Sequence, residues 1–438
     1  MTKRVRVFLA CMAGLATIGL ANCGKYNCAT DDGLSFNGGA CTSSSPSGIS
    51  TSGSSTTATA FAFAVDSSEV AGSTTGTIDG YTLDASTASF QATATYTAPT
   101  IPPDDGGVGM VIAQKQFIYA AFESAEQIYG WTIDGSTGAL TAISGSPYSA
   151  SFLSGLGGEV AQSAMITNPA GTLLFISLPL QSKIYVYQVG SSGALSPVAG
   201  TPFSVPFEPL NLATDGAGKY LYAIDGNVNT HTGSEIAAYS IGSSGTLKAV
   251  SGSPFAYPMW QVQGEPSGKF LIGTSGNSDA SGYSGVEDDN LYVFSISSTG
   301  ALTPVSGSPF ATVYSPFSIA VSPNSGGDLV YSFSITESSG QTSFNAEEGY
   351  SISSSGALTA VSGSPFASLG NGSSGSWGQF DQSGAYLFVY GEFITDPSTD
   401  TIVTQISPLN VPAAGTLTSA GSTAILTTPG FWAVTDPQ

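Results

Sequence analysis

The chain has 438 residues, with 9 Lys or Arg against 30 Asp or Glu and a single His, for a formal net charge of −21. A surface so poor in cations excludes nucleic acid as a partner, because a phosphate backbone must be met by basic side chains. Hydrophobic residues at 41%, charged residues at only 9% and 55 Gly describe a chain that buries a large core and is solubilised mostly by uncharged Ser, Thr, Gly and Asn, neither a charge-rich disordered polymer nor a helical protein.

Lys3, Arg4 and Arg6 precede an apolar run from Val7 to Ala21, the charged and hydrophobic regions of an export signal, too short to span a bilayer comfortably. The run ends at Leu20-Ala21-Asn22-Cys23, which resembles the lipobox of bacterial lipoproteins, where the Cys becomes the lipidated first residue of the mature chain. Asn22 departs from the small residue expected at its place. Cysteine parity points the same way: Cys11 leaves with the signal, and lipidation of Cys23 leaves Cys28 and Cys41 as one disulfide pair in an oxidising compartment. Residues 1–22 are read as a signal peptide, 23–60 as a Ser/Thr/Gly-rich tether and 61–438 as the folded body. With the signal go three of the nine basic residues, both Arg among them, and none of the thirty acids. The protein is expected to be exported, held in the cell envelope as a lipoprotein or secreted, and in contact with membrane only through the lipid.

The body is built from one repeated text. DGSTGALTAISGSPY (134–148), GSSGALSPVAGTPF (190–203), GSSGTLKAVSGSPF (242–255), SSTGALTPVSGSPF (297–310) and SSSGALTAVSGSPF (353–366) are flanked by two weaker copies. The marker residues Phe90, Leu140, Leu195, Leu247, Leu302, Leu358 and Leu417 recur at intervals of 50 to 59, giving seven units. Each unit predicts four strands; in the fourth these are PLNLATD, YLYAID, EIAAYSI and TLKAVSG, with alternating Leu221, Ala223 and Ile236, Ala238. Pro254 and its equivalents Pro147, Pro202, Pro309 and Pro365 are expected to end the outer strand. The expected fold is an all-β, closed seven-bladed β-propeller of four-stranded antiparallel blades. The first unit, starting at Ala60–Asp66, lacks an innermost strand, while the tail GFWAVTD (430–436) is one strand with nothing after it. Pairing the two completes the first blade, and a closed ring with few free sheet edges is expected to be a monomer.

The GALTPVSGSPF text and the Pro-Ser-Gly-Lys turn at 266–269 resemble the seven-bladed lactonase, or 6-phosphogluconolactonase-like, propellers and related YVTN-type surface repeats. The resemblance spans residues 61–438 and implies the fold. It also implies lactone hydrolysis on substrates bearing phosphate or carboxylate, held by Arg or His near the channel mouth. The chain past residue 22 has no Arg and one His, so no such residue carries over, and its charge would repel an anionic substrate.

Three sets of residues are candidates for chemistry. His231, in the loop DGNVNTHTGSE (225–235), is either a general base paired with Glu235 or Asp225, or a solvated loop histidine. In NSDASGYSGVEDDN (277–290), Asn277, Asp279, Ser281 and Asp288 have the spacing of hard oxygen ligands for Ca²⁺, the alternative being a solvated acidic loop. Trp260, Phe317 and Phe431 align at the starts of inner strands, with Trp377 and Trp432 one place later. They offer stacking surfaces for sugar or peptide, or serve as packing between blades, and strand alternation argues against a single platform. The composition favours a non-catalytic module that binds a cell-envelope protein or glycan, with hydrolysis of a neutral lactone or sugar lactone by His231 as the alternative.

Overall fold

The computed structural model describes residues 58–66, 77–97, 109–122, 125–153, 164–225, 235–257, 259–275, 289–323, 329–338, 341–366, 373–396, 401–426 and 432–435. The seven repeats are seven four-stranded antiparallel blades in a ring, blades 6 and 7 being joined further by one backbone pair, Phe344 with Ser373. Blade 4 follows the period-two pattern of its sequence: Pro209–Thr214, Tyr220–Asp225, Ile236–Ile241 and Leu247–Ala249 lie side by side from the axis outward.

The first blade is completed from the far end of the chain. Trp432–Thr435 pairs antiparallel with Ala60–Asp66 in the register Phe61 to Thr435, Ala62 to Val434, Phe63 to Ala433 and Ala64 to Trp432. Innermost strands then touch in an unbroken cycle: Trp432–Thr435, Gly109–Ala113, Met165–Thr167, Pro209–Thr214, Gln261–Gly264, Pro316–Val321, Ser373–Phe380 and back to Trp432–Thr435. Each of the seven seams between blades holds its own apolar cluster, so the core is a set of radial slabs and not one central mass.

The outer strand ends at Ala142, Pro197, Ala249, Pro304 and Ala360, and the Ser/Thr-Pro step that follows turns the chain back to the third strand. Five bonds are cis, Ser146-Pro147, Thr201-Pro202, Ser253-Pro254, Ser308-Pro309 and Ser364-Pro365. Past each one an aromatic residue rejoins the third strand, Tyr148 opposite Ile128, Phe203 opposite Ile184, Phe255 opposite Ile236, Phe310 opposite Leu291 and Phe366 opposite Glu347. Across the kink the third strand loses a ladder partner, and the hydroxyl before the proline replaces it. Ser146, Thr201, Ser253, Ser308 and Ser364 accept the backbone N–H of Gly130, Val186, Ala238, Val293 and Gly349 at 2.8–3.0 Å. A buried amide left without an acceptor costs about 1–3 kcal/mol. Ser253→Ala should therefore lower stability by about that amount in urea unfolding, whereas Ser253→Thr, the residue found at 201, should stay within about 0.5 kcal/mol of the parent.

The turn glycines fasten one blade to the next. Gly138, Gly193, Gly245, Gly300, Gly356 and Gly415 all have positive φ, and each lies against a residue of the preceding blade, Gly300 against the Tyr220 ring for example. Tyr119, Tyr222 and Tyr331, fully buried in second strands, donate hydroxyl hydrogen bonds to the carbonyls of Gly193, Gly300 and Gly415 at 2.6, 3.2 and 2.7 Å. Burial drives the phenol pKa of all three upward, so they act as donors at any physiological pH.

Candidate functional site

In each blade the connection between second and third strands, and the connection leading to the next blade, emerge on one face of the ring; the short hairpin turns emerge on the other. Acids in the first hairpin turns are structural. The Asp215 carboxylate accepts the backbone N–H of Lys219 at 2.6 Å and of Tyr220 at 2.7 Å, Glu265 accepts that of Ser267 at 2.7 Å, and Asp381 accepts that of Tyr386 at 2.9 Å. In the second hairpin turn of blade 2, the hydroxyl of Ser136 leads several hydrogen bonds that bring Asp134 down to about 2. Lys115, Lys219 and Lys269 also sit in first hairpin turns, on the face opposite the long loops, and Lys248 lies just after a second one. Of the described Lys residues only Lys183, at the start of a third strand, is on the loop face.

Backbone groups of the innermost strands are satisfied by amide side chains of the preceding blade. Asn211 accepts the Val262 N–H at 3.4 Å and Gln261 that of Ile319 at 2.8 Å, while Gln263 accepts from Val321 N–H and donates to the Ile319 carbonyl, both at 2.9 Å. This sewing holds the inner ends of blades 4, 5 and 6 in register.

On the loop-bearing end of that register stands an aromatic arc. Trp260 lies 5.8 Å from Phe317, and Phe317 lies 5.4 Å from Trp377 in an edge-to-face arrangement, so the three rings run across blades 5, 6 and 7. Phe317 is buried, while both tryptophans are half-buried and keep part of each ring accessible. Trp377 also packs against Tyr390 of its own blade at 6.3 Å. The arc is therefore inter-blade packing and a partly open apolar surface at once. Trp432 occupies the innermost strand of blade 1, and its side chain, with Phe431, lies outside the described residues.

Carboxylates stand on this side of blades 4, 5 and 6. Asp225 and Glu235 bracket the blade 4 loop: the Asp225 N–H donates to the Glu235 carbonyl at 2.9 Å, and both residues are half-buried. His231, between them in sequence, lies outside the described residues. Asp289, just before the third strand of blade 5, holds the connection to blade 6, accepting the Thr312 N–H through its carbonyl at 2.8 Å and the Ser315 hydroxyl through its carboxylate. Glu348, almost fully buried, closes the other side by accepting the N–H of Val313 at 3.0 and 3.2 Å, that of Tyr314 at 2.9 Å, and the Tyr350 hydroxyl at 2.5 Å. Burial first, then the Glu348 hydrogen bond and charge, raise the Tyr350 phenol pKa, so the proton stays on the tyrosine. Glu347, its neighbour in sequence, turns to the opposite side of the blade.

Among the described residues no group of three or more His, Cys, Asp or Glu side chains is placed to hold a metal ion. Asn277, Asp279, Ser281 and Asp288 lie outside the described residues, as do Cys23, Cys28 and Cys41. Glu347 and Glu348, buried on adjacent positions of one strand, escaped the sequence reading. A signal for Glu347 was available: once the repeats are aligned on the residue that meets the Ser or Thr hydroxyl, the position two before it reads Ile128, Ile184, Ile236, Leu291 and then Glu347.

Residues 70–254, a little under half of the chain, match the family model described as Lactonase, 7-bladed beta-propeller. A 6-phosphogluconolactonase of Xenorhabdus nematophila is 26% identical over 137 residues, 31% of this chain and 36% of that protein, so the match spans about a third of the relative's length. Among solved structures, the periplasmic gluconolactonase PpgL of Pseudomonas aeruginosa superposes with a TM-score of 0.54 at 13% identity, covering 86% of this chain and 100% of that one. A Bacteroides uniformis protein provisionally described as a 6-phosphogluconolactonase gives 0.56 at 15% identity, covering 86% and 99%. At such identities the superpositions speak for the fold alone. The resemblance to the lactonase-like seven-bladed propellers holds, in sequence through the first half of the ring and in architecture throughout.

Proposed function

We propose that this lactonase-like propeller is a hydrolase of neutral lactones, with a sugar lactone as the substrate class that fits its loop-bearing face. The aromatic arc carries the reading. Half-exposed Trp260 and Trp377 flanking Phe317 offer apolar faces to the C–H side of an uncharged ring. The family match and the name of the Xenorhabdus relative support lactone chemistry. The phosphate in that relative's name does not transfer. With no Arg past residue 22 and three of the described lysines on the opposite face, an anionic substrate finds no counter-charge.

His231 is assigned as general base, in the blade 4 segment bracketed in sequence by Asp225 and Glu235. It takes a proton from water as the water oxygen bonds to the lactone carbonyl carbon. Collapse of the tetrahedral intermediate breaks the ring C–O bond, and the proton passes to the departing ring oxygen, giving the open hydroxy acid. Incubation with neutral sugar lactones, followed by acid release in a pH-stat, should show turnover that is absent with 6-phosphorylated analogues. His231→Ala should lower kcat/KM by about 10²–10⁴-fold, and Trp260→Ala should raise KM with a smaller change in kcat. An unchanged rate in His231→Ala removes the base assignment.

The export signal and tether favour a location in the cell envelope, with Cys23 as the lipid anchor, and Cys23→Ala should then move the protein from the membrane fraction to the soluble one. If no lactone turns over while envelope polysaccharide still quenches the fluorescence of Trp260 and Trp377, the protein is a non-catalytic binding module.

A further inference from the structure

Four blades fill one third-strand position with Ile128, Ile184, Ile236 or Leu291, each fully buried and each a member of the cluster that seals the seam to the following blade. Blade 6 places Glu347 there. The setting is otherwise the same: Phe333 is its partner on the second strand and Phe366 its partner beyond the kink, and only 8% of the residue is exposed. Its Oε2 is buried without a hydrogen-bond partner. A carboxylate in an aliphatic slot, with one oxygen unanswered, is a local contradiction that a well-packed repeat has no structural reason to keep.

Among the described residues, the surroundings hold no compensating charge. On blade 6, Tyr331 shares the seam, and its hydroxyl is committed to the Gly415 carbonyl. The next residue, Glu348, is bound to Val313, Tyr314 and Tyr350. Across the seam, the innermost strand Ser373–Phe380 contains no ionisable residue, and Phe333 presses against Gly378 within it. On the second strand of blade 7, Leu387 and Val389 face this seam, while Tyr390, with the nearby Tyr386, packs in the cluster shared with blade 1. Glu392 and Asp396, farther along that strand, pair through their backbones with Ser374 and Thr401. Burial, opposed by a hydrogen bond from its own backbone N–H, accordingly lifts the Glu347 carboxyl to about 7.

We propose that the seam between blades 6 and 7 is a proton-controlled joint, closed while Glu347 is neutral and loosened when it ionises. The joint matters because the same two blades contribute Phe317 and Trp377 to the arc, and a shift of one blade against the other changes the spacing of those rings. Folded Glu347 holds its proton more tightly than the unfolded chain does. The stabilisation it gives is thus full below the ordinary carboxyl range and is lost as pH rises through about 7.

Hydrogen exchange of the full chain at pH 5.5 and pH 8, corrected for intrinsic rates, tests this in peptides covering 341–352 and 373–380. Protection there should fall by roughly ten- to a hundred-fold at the higher pH in the parent, with peptides of blades 2 to 4 changing far less. Glu347→Leu, which restores the residue type of the other blades, should abolish the seam-specific drop, and its Tm should exceed that of the parent more at pH 8 than at pH 5.5. Glu347→Gln reads the same difference without a change of shape should the Leu variant fail to fold. Parent and variant profiles that run parallel from pH 5.5 to 8, or a Gln variant that keeps the parent's drop, would overturn the proposal.

Discussion

Gly300→Ala should destabilise the ring by about 2–4 kcal/mol, and Gly252→Ala by only about 1–2 kcal/mol, although the two glycines share one backbone conformation. Their φ angles are +85° and +86°. Any L-residue there adopts a left-handed conformation, so both variants carry that cost. They differ in what a new Cβ meets. At Gly252 the nearest atom is Phe255 Cε1 at 3.9 Å, an ordinary contact. At Gly300 the Tyr220 ring lies at 2.5 Å and Val250 Cγ2 at 3.0 Å, both on the preceding blade. The methyl must push blades 4 and 5 apart at the place where the Tyr222 hydroxyl reaches the Gly300 carbonyl. Urea midpoints of the two variants separate these costs: the common part is the turn, and the difference is the seam. Equal midpoints would mean that positive φ alone selects the glycine and that the turn does not fasten one blade to the next. The same test extends to Gly138 against Phe61 at 2.6 Å and to Gly356 against Phe270 at 2.8 Å.

The blades were legible because their strands obey local rules. YLYAID and EIAAYSI alternate, the glycine turns mark the hairpins, and the unmatched strands at the two ends disclose the closure. The kink was only half legible. Pro254 announces an irregularity, yet the Ser253 hydroxyl finds its partner on Ala238, a residue of the neighbouring strand, and no local rule reports a hydrogen bond across that gap. Alternation alone did not report which aromatic residues meet, for a related reason. A register shift lies between Pro316 and Ser318 in blade 6, where Phe317 is the extra residue, and another lies between Ser374 and Ser376 in blade 7. Each bulge resets which side the following residues occupy, so Phe317 and Trp377 meet despite standing one place apart in the repeat. Glu347 is the converse case. Its signal resided in the comparison of equivalent positions between repeats, and a reading that looked for clusters of titratable groups passed over a single acid among aliphatic residues.

Ending the chain after Thr428 should abolish cooperative folding of the ring. The truncation removes Trp432–Thr435, and with it the partners of Phe61, Ala62, Phe63 and Ala64. Those backbone groups then form an open apolar edge, the feature most prone to pair with another chain. Ala433 belongs to the cluster between blades 1 and 2 and Val434 to the one between blades 7 and 1, so both seams beside the closure lose a buried residue. The innermost strands Gly109–Ala113 and Ser373–Phe380 lose their common neighbour and the cycle becomes an arc. Losses spread over one ladder and two seams approach the roughly 5–15 kcal/mol that holds an ordinary domain together. Circular dichroism should show a broad transition at lower temperature, and light scattering should show association. A milder variant, Val434→Asp, keeps the strand but buries a charge at a position only 2% exposed, and should cost more than about 3 kcal/mol. Because the edge left by truncation is a template for one strand, a synthetic peptide of residues 427–438 added in excess should restore the sharp transition, while a peptide of scrambled order should not. A truncated chain that unfolds in one step at the parent's midpoint would show that the ring does not depend on this strand for its closure.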